Sequence, residues 1–150
     1  MKPDNKTIVI GIGNEYRCDD AAGFLVVRKL KEKNIPSVKV IEHNGDGVSL
    51  MDIWQDYSRI IIVDAMQSNN KPGSIQKINV KTKLPKSLSP NSSHLFSIME
   101  AIETAKVFKK LPDDLQIFAI EGKNFQHGTD ISHEVNESID KAVELIISEL

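Results

Sequence analysis

The chain has 150 residues, 40% of them apolar and 27% charged, which fits one compact domain over residues 1–150 and excludes a disordered or fibrous protein. Its 19 basic and 21 acidic side chains nearly balance, so there is no positive excess with which to bind nucleic acid or an anionic membrane surface. No apolar run is long enough to span a bilayer, no signal peptide is visible, and the single cysteine, Cys18, suits a reducing compartment, so we expect a cytoplasmic protein with no membrane partner.

Five short runs of β-branched and other apolar residues predict β-strands. The runs are Thr7–Ile12, Val38–Glu42, Arg59–Val63, Ser74–Val80 and Leu115–Ile120. Apolar residues recur at helical spacing in four further segments. These segments begin near Ala21, Leu50, Leu95 and Val135. Strands and helices therefore alternate, which is typical of an α/β fold.

The connection from Ala65 to Gly73 breaks this alternation. It is too short for a helical crossover between parallel strands, and it contains turn-forming residues. We therefore predict that the fourth strand runs antiparallel, in a three-layer α/β/α sandwich with a mostly parallel five-stranded sheet. A second, longer polar stretch, Lys81–Ser93, precedes the third helix and predicts a surface loop that takes part in binding.

Two aspartates and one histidine lie where such a sheet binds its ligands. In α/β sheets, ligands bind beyond the carboxyl ends of the parallel strands, where the winding reverses. Asp20 follows the first strand, Asp64 follows the third, and His94 begins the third helix. Two carboxylates and an imidazole suit a divalent transition metal with one position open, and the positive end of a helix dipole favours neutral imidazole. These three residues therefore predict a metal site.

Several of these residues also have a structural interpretation. Asp19 or Asp20 could cap the helix that follows, whereas Asp64 directly follows a buried strand, where a solvated role is harder to maintain. The Gly45–Asp46 turn after the second strand could let a substrate segment approach the backbone, or it could be a plain turn. Cys18 is a poor nucleophile because the two adjacent acids oppose a thiolate.

Two further motifs are incomplete. Gly11 and Gly13 begin a dinucleotide-binding fingerprint, but its third glycine would fall at Tyr16, and the acidic pair would repel a pyrophosphate. The segment His133–Glu137 lacks the second histidine of a zinc-protease helix, so we interpret it as the start of the last helix, with Ser132 as its cap.

A different functional class shares part of this pattern. Receiver domains of response regulators carry an acidic pair after the first strand, a phosphoacceptor aspartate after the third and a lysine after the fifth. Asp19, Asp20, Asp64 and Lys123 imitate that set. Here, however, a loop separates the acidic pair from the first strand, and His94 has no receiver role. A phosphoacceptor signalling domain is therefore the alternative hypothesis.

The ordered segments GIGNEYRCDDAAG, NGDG, IIIVDA, SPNSSH and IEGKNFQHGTDISHEV resemble the nickel-iron hydrogenase maturation proteases over nearly the whole chain. The family's metal-site residues match Asp20, Asp64 and His94. One departure is Glu15, where the family frequently has a hydrophobic residue. The resemblance implies an endopeptidase that removes the C-terminal extension of a hydrogenase large-subunit precursor, its protein partner. It also implies that the site recognises nickel supplied by that precursor, with other divalent metals as surrogates.

The resemblance leaves the mechanism open between two possibilities. The ion could polarise the scissile carbonyl or activate water, with Asp20 and Asp64 as catalytic residues and a free carboxylate as base. Alternatively, the three ligands only dock and orient an ion that belongs to the substrate. Gly45 and Asp46 are the candidate substrate-binding residues.

Overall fold

A computed structural model describes residues 6–80 and 93–150, and the side chains from residue 97 onward in the second range. The strands are β1 (Thr7–Ile12), β2 (Val38–His43), β3 (Arg59–Met66), β4 (Ile75–Asn79) and β5 (Asp114–Glu121). The helices are α1 (Ala22–Glu32), α2 (Gly47–Trp54), α3 (Ser93–Val107) and α4 (His133–Glu149), and a 3-10 turn, Cys18–Ala21, precedes α1. Within these ranges no helix combines the length and apolar character that a bilayer span requires.

The five strands form one sheet in the order β2-β1-β3-β5-β4. All neighbouring pairs are parallel except β4 and β5, which are antiparallel. Helices α1 and α4 pack on one face of the sheet, and α2 and α3 pack on the other. The predicted three-layer sandwich with one antiparallel strand is therefore confirmed. The predicted loop before the third helix lies outside the described residues as far as position 92.

Strand β3 is longer than its sequence pattern indicates. We predicted an end at Val63, with Asp64 beyond the strand, but β3 continues to Met66 because β5 extends beside it and pairs Asp64 with Ala119. Side chains alternate between the two faces of a strand. Ile60, Ile62 and Met66 belong to the core beneath α2 and α3, so Asp64 lies on that face of the sheet.

Close packing of glycines fixes α1 against the sheet. A β-carbon on Gly23, in the first turn of α1, would come within 2.3 Å of the Ile12 carbonyl oxygen and 2.4 Å of the Val63 carbonyl oxygen. A β-carbon on Gly13 would lie 2.4 Å from the carbonyl oxygen of Asp20. Only glycine permits these approaches. The start of α1 is therefore seated directly on the ends of β1 and β3, and the 3-10 turn packs against Gly13.

Candidate active site

The winding of the sheet reverses between β1 and β3. After β1 the chain adds β2 on one side, and it then returns to add β3 and β5 on the other. Adjacent strands at such a reversal leave a crevice at their carboxyl ends. Asp20 reaches this edge from the 3-10 turn after β1, and Asp64 reaches it from β3; only 3% and 0% of their surfaces are exposed. Both predicted acids are thus buried at one edge of the sheet.

Packing around Asp20 and Asp64 explains how they arrive there. The 3-10 turn that carries Asp20 contacts β3, and Gly23 packs against Val63, which immediately precedes Asp64. One oxygen of Asp64, Oδ1, accepts a hydrogen bond of 2.8 Å from the backbone N–H of Ala65. The fold therefore places the turn that carries Asp20 against the strand that carries Asp64, although the two lie far apart in the sequence.

His94 lies in the first turn of α3, on the same side of the sheet as Asp64. Its side chain is outside the described part of the structure, so the full set of Asp20, Asp64 and His94 stays a prediction. Among the side chains that are described, no three histidine, cysteine or acidic groups are placed to hold an ion. The backbone position of His94 agrees with the predicted site, because α3 belongs to the layer that covers Asp64.

Asp19 has a different role from its neighbour. Its carboxylate is completely buried and accepts four hydrogen bonds of 2.8–2.9 Å. The donors are the backbone N–H groups of Lys123, Asn124 and Ser132 and the Ser132 hydroxyl. The capping interpretation is therefore wrong for Asp19, and the N-cap position of α1 is occupied by Ala21, which makes no side-chain cap bond.

The hydroxyl of Ser132 does not act as the predicted cap either. Ser132 occupies the N-cap position of α4 but makes no side-chain cap hydrogen bond; its hydroxyl donates to Asp19. The receiver hypothesis is contradicted by the same contacts. Asp19 is fully engaged with backbone donors, and the Lys123 ammonium lies 3.0 Å from the carboxylate of Glu134, an ion pair that serves no phosphoacceptor site.

The turn between β2 and α2 carries the candidate substrate-binding residues. Gly45 is buried with φ +91°, and Asp46 is exposed at the N-cap position of α2 without a side-chain cap bond. The ring of His43 supports this turn. Its Nδ1 accepts a hydrogen bond of 2.9 Å from the Gly45 N–H, and its Nε2 lies 2.9 Å from Ser49 Oγ. Burial lowers the pKa of His43, which the charge of Asp46 partly opposes. Sequence analysis quoted this turn but did not identify His43 as its support.

Another buried carboxylate, Glu121, lies at the carboxyl end of β5 and is 2% exposed. It accepts hydrogen bonds from the backbone N–H, at 3.0 Å, and from the hydroxyl of Ser68. It therefore ties the connection between β3 and β4 to β5. Sequence analysis missed it, although an acid directly after the apolar run IFAI repeats the signal that singled out Asp64 after IIIV.

The unusual Glu15 belongs to a charged network on the surface. Arg28 of α1 lies 3.2 Å from a Glu15 carboxylate oxygen and 2.9 Å from one of Glu42 on β2. Its hydrogen bonds lower the pKa of the Glu42 carboxyl, against a smaller opposing effect of burial. Glu15 therefore has a local structural role: together with Arg28 it attaches the loop after β1 to α1 and β2.

Known proteins share both the sequence pattern and the fold of this chain. The family model described as HycI, hydrogenase maturation protease, matches residues 24–149. The chain belongs to the hydrogenase maturation protease family. It is also 30% identical to a candidate hydrogenase maturation protease of Methanocaldococcus jannaschii, with 95% of each chain covered. As a member of this family of endopeptidases, the chain is an enzyme, and the receiver hypothesis is wrong.

Solved structures agree with the assignment. The [NiFe] hydrogenase maturation protease HybD from Thermococcus kodakarensis is similar, with a TM-score of 0.78 and 26% identity over 95% of this chain and 97% of that one. The hydrogenase maturating endopeptidase HybD from Escherichia coli shares the fold, with a TM-score of 0.82 and 20% identity over 97% and 91%.

Proposed function

We propose that this protein removes the C-terminal extension of a nickel-iron hydrogenase large-subunit precursor after nickel has been inserted. The supporting observation is the burial of Asp20 and Asp64 at the edge where the sheet winding reverses, within a hydrogenase maturation protease fold. His94, in the helix that covers the Asp64 face, completes the proposed set. The partner is the precursor protein.

In this proposal the nickel ion is part of the substrate. Asp20 and Asp64 supply oxygen ligands and His94 supplies a nitrogen ligand, a mixed donor set that suits a divalent transition ion. Binding gains these ligand bonds only when the precursor already carries its metal. Cleavage therefore follows completed insertion, and a nickel-free precursor is left unprocessed.

Hydrolysis needs a water molecule and a group that moves its proton. As the water oxygen attacks the scissile carbonyl carbon, a carboxylate oxygen of Asp20 or Asp64 that does not bind the ion takes the proton. It then passes the proton to the leaving amine as the C–N bond breaks. Cys18 does not serve as nucleophile, because its thiol is buried and two acids follow it directly. The Gly45–Asp46 turn holds the substrate tail at the same edge.

A processing assay tests this proposal. Purified protein is mixed with nickel-loaded and nickel-free precursor, and the release of the tail is followed by mass spectrometry. We expect cleavage of the loaded precursor only. Asp64→Asn, which preserves shape, should slow cleavage by a factor of about 10² or more, the usual cost of removing a proton-transfer group or ligand. Calorimetry with nickel or cadmium should show weaker binding by Asp64→Asn and by His94→Ala.

Asp46→Asn is the matched control, since it removes an acidic charge from the same edge at an exposed position outside the ligand set. It should reduce cleavage less than Asp20→Asn does. Equal cleavage of loaded and nickel-free precursor would refute metal recognition. Wild-type rates in both Asp64→Asn and His94→Ala would refute the assignment of the site residues.

A further inference from the structure

The carboxylate of Asp19 joins two loops that are distant in the sequence. All four of its hydrogen bonds come from the segment between β5 and α4, residues 122–132. The backbones of the two loops also pair directly, through Asp19 N–H to Asn124 O and Cys18 N–H to Gly128 O, each at 2.9 Å. We call residues 14–20, residues 122–132 and these contacts the Asp19 clamp.

The clamp uses both oxygens of the carboxylate. Oδ2 accepts from two backbone N–H groups and one hydroxyl, and Oδ1 accepts from the N–H of Ser132, the residue that precedes α4. Every partner is a donor, and the positive end of a 17-residue helix faces the charge. The negative charge of Asp19 is therefore compensated within the fold by donors with which a cation would have to compete.

The neighbouring residue, Asp20, is held by the same turn. Its N–H donates to the carbonyl of Arg17, and its own carbonyl accepts from the N–H of Asn14 while packing against Gly13. With one end of the 3-10 turn fixed by Gly13 and the adjacent position fixed by Asp19, the backbone of Asp20 has little freedom to shift. A catalytic or ligand group loses much of its effect when displaced by about 1 Å.

We propose that Asp19 is a positioning residue: its carboxylate attaches the loop after β5 to the 3-10 turn and thereby sets the position of Asp20 relative to Asp64. This inference rests on the proposed function of Asp20 and Asp64. It divides the acidic pair into Asp19, which organises the backbone, and Asp20, which acts on the substrate.

The substitution Asp19→Asn tests the division, because it keeps the size of the side chain but turns an amide NH₂ toward donors. In folded Asp19→Asn, assayed well below its melting temperature, we expect kcat for nickel-loaded precursor to fall at least tenfold with KM within twofold. Amide exchange should become faster in residues 14–20 and 122–132 together. Ser132→Ala removes only the hydroxyl bond and should give an intermediate loss, whereas Ser132→Thr should behave as the wild type.

Val143→Ala, in the buried face of α4, is the control for a purely structural effect. It lowers the melting temperature without touching the clamp and should leave kcat unchanged. A folded Asp19→Asn with wild-type kcat, or exchange that rises in only one of the two loops, would overturn the proposal. If Asp19→Asn does not fold, Ser132→Ala with wild-type kcat and exchange would overturn it. A wild-type protein that leaves loaded precursor intact would instead refute the proposed function, and the exchange measurement would still test the clamp.

Discussion

The substitution Gly23→Ala tests the close seating of α1 on the sheet. The added β-carbon would meet three main-chain atoms: the carbonyl oxygens of Ile12 and Val63 at 2.3 and 2.4 Å and the Ile12 nitrogen at 2.8 Å. All three belong to hydrogen-bonded strands, so none can move as a flexible side chain would. The helix must therefore shift away from β1 and β3.

The size of the effect follows from two opposing contributions. Overpacking a tight core costs about 1–3 kcal/mol, and contacts with rigid backbone place this site at the upper end. Replacing glycine by alanine returns about 0.4–1 kcal/mol by reducing the entropy of the unfolded chain. The free energy of unfolding should therefore fall by about 2 kcal/mol, which lowers the melting temperature of a chain this size by about 4–8 °C.

Urea and thermal unfolding followed by circular dichroism measure this change. Gly47→Ala is the matched control, since Gly47 begins α2 and its nearest neighbours would be Ser97 O at 3.0 Å and Ala101 Cβ at 3.3 Å. Its stability should change by no more than about 1 kcal/mol. If Gly23→Ala were as stable as the wild type, the packing argument for how Asp20 is held near β3 would be wrong.

Two further predictions concern buried polar groups near the candidate site. Glu121→Gln should lower the free energy of unfolding by about 1–3 kcal/mol, because an amide NH₂ would face the donors of Ser68. Urea unfolding measures this loss of stability. A change below about 0.5 kcal/mol would contradict the hydrogen bonding described. The pKa of His43 is lowered in the folded state, so the unfolded chain binds the proton more readily. The resulting stability is present above the unfolded pKa of about 6.5 and is lost as the pH falls toward the lower folded value. The urea concentration at the midpoint of unfolding should fall as the pH is lowered from about 8 to about 5, and it should fall less in His43→Asn. An equal fall in both proteins would show that His43 does not titrate as the structure indicates.

Much of the fold could be predicted because its signals are local. The apolar runs gave β1 its observed limits, and the short connection after β3 predicted the antiparallel β4. The ends of β3 and β5 could not be predicted in this way, because their last residues are polar or ambiguous and become strand only by pairing with each other. Asp64 was therefore placed beyond a strand that in fact contains it.

The sequence indicated which acids belong to the candidate site, but not the separate role of each acid. An acid after a buried strand singled out Asp64, and the same signal was present at Glu121. The division of roles between Asp19 and Asp20 could not be predicted, because the residues are identical and adjacent. What distinguishes them is a loop whose N–H groups lie 104 to 113 positions further along the chain.

The register of β3 against its neighbours decides which face of the sheet carries Asp64. Side chains on β3 alternate between two layers, so a slip of one residue against β1 or β5 would transfer Asp64 to the opposite face of the sheet. That face is the apolar layer of Val63, Phe118 and Ile120 beneath α1 and α4, where an uncompensated carboxylate is strongly unfavourable. A chain with this shifted register would thus lose both the position of Asp64 in the candidate site and part of its folding stability. The register that places Asp64 in the candidate site is thus also the register that keeps its carboxylate out of the layer beneath α1 and α4.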